Sequence, residues 1–82
     1  MLRITRRPDR SFRLEGRLTR YEVGLLREAL RASPNGAHAV DLADLAFVDE
    51  AGVAALADLR SRGLELRGGS SFVRQLLEEV AS

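Results

Sequence analysis

Apolar and polar positions alternate in two short segments near the N terminus: Leu2 and Ile4 with Arg3 and Thr5, then Phe12 and Leu14 with Arg13 and Glu15. Period-2 patterning predicts strands. Between them, Arg7-Pro8-Asp9-Arg10 supplies a turn, because Pro fixes φ and Asp can close an Asx turn. The expected element is an antiparallel hairpin over roughly 2–6 and 11–18. Thr19-Arg20-Tyr21-Glu22 then matches the capping box, in which Thr and Glu satisfy each other's backbone N–H groups. Val23, Leu26 and Leu30 follow at helical spacing, with Leu25 and Ala29 beside them and Arg20, Glu22, Arg27, Glu28 and Arg31 opposite. This predicts an amphipathic helix that stops at Ser33-Pro34-Asn35-Gly36.

Ala37 to Leu42 is a short apolar run that predicts a buried strand. Ala43 to Val48 is expected as a connecting loop, with Leu45 and Phe47 turned inward. Asp49 is placed to N-cap a second helix that runs to Arg60 or Ser61 and stops at Gly63. Leu64 to Arg67 predicts a last short strand, followed by a Gly68-Gly69 turn. A third helix, capped by Ser70 or Ser71, would bury Phe72, Val73, Leu76, Leu77 and Val80. The resulting order, ββαβαβα, predicts an α/β fold with a small mixed sheet: parallel where strands are joined through helices, antiparallel in the leading hairpin. A chain of 82 residues has the length of one domain.

Composition narrows the chemistry. There is no Cys and one His, which removes disulfides, thiolate metal sites and Cys nucleophiles. A serine nucleophile would need His38 as its base, and no G-x-S-x-G is present. His38, just after a turn, reads as structural or solvated. No Lys is available for a P-loop, and Gly68-Gly69-Ser70-Ser71 reads as a capped turn rather than a phosphate cradle. The chain is therefore expected not to be an enzyme and to hold no cofactor. Asp41, Asp44, Asp49 and Glu50 gather around the carboxyl end of the buried strand, where open α/β sheets place ligands. Hard cations take such oxygen ligands. Asp49 is already accounted for as a cap, however, and Asp41 and Asp44 alternate with apolar neighbours as solvated residues do, so no metal site is expected.

Charge is near balance but uneven. Residues 1–20 carry seven Arg against Asp9 and Glu15, whereas His38 is the lone basic side chain between Ala32 and Leu59. All 13 basic residues are Arg, a bias that reads as codon usage before it reads as phosphate chemistry. No aromatic stands with Arg3 and Arg13 for base stacking, so nucleic acid is not an expected partner. No apolar stretch approaches the ~20 residues of a membrane helix, and Arg3, Arg6 and Arg7 interrupt any leader-like apolar start. A cytoplasmic location is expected.

The second predicted helix is apolar on every side through Ala51-Gly52-Val53-Ala54-Ala55-Leu56-Ala57. Val53, Leu56 and Leu59 supply a core stripe, which leaves Ala51 and Ala54, with Gly52 and Ala57, as a flat exterior beside acids. Such a surface suits docking of another protein.

Val40-Asp41-Leu42 and Leu45-Ala46-Phe47-Val48-Asp49-Glu50-Ala51-Gly52-Val53-Ala54-Ala55-Leu56 resemble the signature of the STAS domain family. Leu14-Glu15-Gly16-Arg17-Leu18, Gly63 and Ser71-Phe72-Val73-Arg74-Gln75-Leu76-Leu77 extend the resemblance. The family includes anti-sigma factor antagonists and the cytosolic tails of sulfate transporters. In antagonist members the resemblance implies a regulatory serine directly after the Asp, whose phosphorylation releases an anti-sigma factor kinase. Here that position is Glu50, followed by Ala51, so phosphorylation there is ruled out. A Glu carries less charge than a phosphoserine and could mimic it permanently; it also favours the helix dipole from the first turn, which is the preferred reading. The Asp-x-Ala-Gly variant is also similar to the STAS subunit of a bacterial phospholipid-trafficking ABC transporter, which docks on the transporter ATPase. The resemblance implies a regulatory interaction module with Asp49, Glu50, Ala51, Gly52 and Ala54 at its partner-binding, switch-equivalent site, and an anti-sigma factor kinase or a transporter ATPase as partner.

Overall fold

β1 (Leu2–Arg6) and β2 (Ser11–Leu18) form the expected hairpin, with Ile4 opposite Leu14 and Arg3 opposite Glu15. The turn closes as its residues dictate. Asp9 Oδ1 accepts from the Ser11 N–H at 3.0 Å and the Ser11 hydroxyl at 2.6 Å, and Arg10 takes a left-handed conformation, φ 65°. The computed structural model describes residues 1–32 and 38–81; the expected helix stop at 33–36 lies outside these.

Helix α1 (Val23–Arg31) starts later than the capping box implies. Only half of the box forms. The Glu22 carboxylate accepts from the Thr19 N–H at 3.0 Å, but the Thr19 hydroxyl donates to that same carboxylate. Its oxygen accepts from Tyr21 N–H, and residues 19–22 make a turn ahead of the helix. Of the apolar stripe, Leu26 is buried, Val23 and Leu30 are half-buried, and Leu25 is exposed.

β3 (Ala39–Val48) is the largest departure from expectation. The segment 43–48 is not a loop but continues the strand, parallel to β2, as far as Leu18 opposite Val48. Its inward residues, Leu42, Leu45 and Val48, are three apart instead of two. The register explains the spacing: Arg13 to Glu15 on β2 spans Asp41 to Asp44 on β3, and Gly16 to Arg17 spans Leu45 to Phe47. Each shift adds one residue to β3, a bulge that resets which side chain faces inward. Phe47 consequently points out rather than in.

Helix α2 (Glu50–Ser61) ends in a Schellman cap, with Gly63 at φ +98° and Leu64 N–H reaching the Leu59 carbonyl at 3.1 Å. β4 (Glu65–Arg67) pairs parallel to β3, and α3 (Ser71–Ala81) is capped by Ser70, whose hydroxyl accepts from Val73 N–H. The sheet order is β1-β2-β3-β4. Parallel crossovers are right-handed in nearly all cases, and two made in the same direction put their helices on one face. Accordingly Leu26, Val53, Leu56, Leu59, Val73 and Leu77 share one core with Leu14, Val40, Leu42 and Leu45. Phe72, expected in that core, is exposed, and Leu76 is half-buried. The architecture is the expected small mixed α/β sheet. Among the described residues, no helix is long and apolar enough to cross a membrane.

Candidate functional site

All three helices follow strands that run to the same end of the sheet, so their N termini gather there. Asp49 organises that end. Leaving β3 in an extended conformation, it accepts from Gly52 N–H through Oδ1 at 2.8 Å, which is the expected cap. Its second oxygen accepts from Arg20 N–H at 3.0 Å, and its own N–H donates to the Leu18 carbonyl. One carboxylate thus ties the β3–α2 junction to the β2–α1 junction. The Gly52 N–H first, and the Arg20 N–H second, hold its carboxyl below the usual range. The tie to Arg20 is invisible in sequence because it spans 29 positions.

Gly52 faces inward, contrary to its expected place on the exterior. A Cβ there would collide with the Leu18 carbonyl oxygen and sit 2.5 Å from Val48 Cγ2. The close approach of α2 to the ends of β2 and β3 requires glycine. Val53 and Leu56 are buried as expected, and Ala55 joins them. The outer surface of the first two turns is therefore Glu50 and Ala54, exposed, with Ala51 half-buried between them.

The acidic group does not assemble. Because β3 continues to Val48, Asp41 and Asp44 lie in mid-strand on the face the helices leave bare. Arg7 pairs with Asp41 at 2.9 Å, and Arg13 grips Asp44 at 2.6 Å. The Ala43 N–H, then Arg7, hold the Asp41 carboxyl below its usual range. Only Asp49 and Glu50 remain at the strand's carboxyl end, and among the described residues no three acids or imidazoles come together as a metal site. His38 is exposed.

Outward rotation of Phe47 creates a feature with no counterpart in the sequence reading. Its ring stacks on Phe72 at 6.2 Å, and the Arg17 guanidinium lies 5.0 Å over it. Both rings are solvent-exposed. Arg17, outward by its strand parity, is the register partner of Phe47, a pairing across 30 positions that the sequence does not display.

A search of the curated proteins finds no match to the chain. A family model described as "Mlab, STAS domain" matches residues 4–81, nearly the whole chain, and its fold agrees with the four-stranded mixed sheet and three helices seen here. The chain belongs to the STAS domain family.

Proposed function

We propose that the protein is a regulatory docking module that meets a protein partner through the first two turns of α2, and that it is not switched by phosphorylation at that site. STAS domains are in general non-enzymatic modules of protein interaction. The observation that carries the reading is the division of labour along α2. Asp49 and Gly52 fix the helix against the sheet, which leaves Glu50, Ala51 and Ala54 as a small, flat surface with one carboxylate. Small side chains let a partner backbone approach closely, and Glu50 adds a single charge for it to meet. The partner class that the family resemblance implies is an anti-sigma factor kinase or, as the second reading, a transporter ATPase in the cytoplasm. Absence of a hydroxyl at 50 or 51 favours constitutive docking in either case.

Ala54→Arg tests the surface: a partner co-purifying with the chain from its native cells is lost, while circular dichroism of the variant is unchanged. Retained binding would move the interface elsewhere. Glu50→Ser tests the missing switch: the serine takes up no phosphate from ATP and a native kinase fraction. Labelling at residue 50 would overturn the constitutive reading.

A further inference from the structure

Away from the α2 N terminus, α1 and α2 run side by side without closing on each other. Ala55, the α2 residue that faces α1, is too short to fill the gap, and a groove of about 640 Å³ remains. Its floor is apolar: Leu26 and Leu59 are buried, and Leu30 is half-buried. The α1 rim is basic, with Arg27 and Arg31, while the α2 rim carries Arg62 beside Asp58, the one acid among the residues that line the groove. Arg31 pairs with Glu28 and Arg62 with Asp58, but these are exposed ion pairs of neighbouring residues, weak enough to exchange partners. Arg27 makes no ion pair among the described residues.

We propose that this groove seats an acidic amphipathic helix of a protein partner. A groove between two helices, with Leu30 and Leu64 partly accessible over a buried apolar floor, accepts the apolar stripe of an amphipathic helix. Arg27 and Arg31 on the α1 rim, with three Arg against one Asp in the whole lining, select for carboxylates flanking that stripe and repel basic helices. A second copy of this chain is a poor occupant. Its α3 carries Glu78 and Glu79, but Val73 and Leu77 are buried in its own core, and among the described apolar side chains of that helix only Phe72 and Leu76 are left to enter a groove. The proposal stands apart from docking at the α2 N terminus, since none of Glu50, Ala51 and Ala54 lines the groove.

The test pans a display library of helical peptides of about four turns against the full chain, then measures the enriched peptides by fluorescence anisotropy. The expected peptides are net acidic with one apolar stripe. Their Kd weakens at least about tenfold in Arg27→Glu/Arg31→Glu, weakens with added salt, weakens in Leu30→Glu, and is unchanged in Ala54→Arg. The double charge reversal leaves the groove floor intact, so its effect does not depend on whether Leu30→Glu folds. Neutral or basic enriched peptides would overturn the proposal, as would an unchanged Kd in the charge reversal or loss of binding only in Ala54→Arg. Failure to enrich any peptide would equally overturn it, and so would self-association of the chain that Leu30→Glu abolishes.

Discussion

Helices α1 and α2 leave the same end of the sheet by the same kind of crossover, yet they are built on opposite patterns. α1 is sharply amphipathic, with Leu26 its one buried residue and a charged outer face. α2 is apolar nearly all round and buries Gly52, Val53, Ala55, Leu56 and Leu59. The difference follows from position. α2 packs on α3 and on the ends of β2 and β3 and meets α1 only across the floor of the groove, whereas α1 stands at the flank and buries a single stripe. An all-apolar helix on a small sheet is thus largely a central helix, and Glu50 and Ala54 mark the side of its first two turns that stays exposed. The pattern that suggests a docking helix is mostly a record of packing.

The contrast can be broken at several points. Leu56→Ala should cost about 2–5 kcal/mol, because it opens a cavity among fully buried neighbours, whereas Leu25→Ala on the exposed side of α1 should stay within about 0.5 kcal/mol. Urea denaturation of both variants checks this, and equal costs would mean that α1 is packed as tightly as α2. Gly52→Ala comes next, at about 1–3 kcal/mol for overpacking, toward the upper end because a backbone carbonyl has little room to move. Gly24→Ala is the matched control on α1. Nothing lies within 4 Å of a Cβ placed there, so it should gain about 0.5–1 kcal/mol through helix propensity. The same substitution in two helices is expected to carry opposite signs.

The smallest expected effect concerns the helix entries in acid. Asp49 is held below its ordinary range by the Gly52 and Arg20 N–H groups, and Glu22 by the Thr19 hydroxyl. A carboxyl with a depressed folded pKa contributes stability that is fully present above its unfolded value, about 3.9 for Asp. That contribution fades as pH falls through the folded value. Thermal unfolding of the wild type should therefore weaken below about pH 4. Asp49→Asn, which keeps a capping side chain, should flatten that acid limb. Glu22→Gln should flatten it less, since α1 has no side-chain cap to lose. An acid limb unchanged in Asp49→Asn would show that the carboxylate's charge does not hold the junction.

Much of this was legible along the chain. The hairpin, the Asp49 cap, the Gly63 stop and the ββαβαβα order rest on side chains acting on backbone within about four residues, or on a simple period, and a sequence displays both directly. The candidate site was legible in part, since the cap and the core stripe of α2 are local features. Tertiary structure alone decided the rest. The second half of β3 is a strand because β2 hydrogen-bonds to it, and two bulges turn a period of two into inward residues three apart. Those bulges turned Phe47 outward, and the continuation of the strand to Val48 left Asp41 and Asp44 in mid-strand, ion-paired with Arg7 and Arg13 instead of beside Asp49. Gly52 faces in because the Leu18 carbonyl, from a strand 34 positions earlier in the chain, occupies the space of a Cβ. Register and close approach depend on partners far along the chain, and no local pattern encodes them.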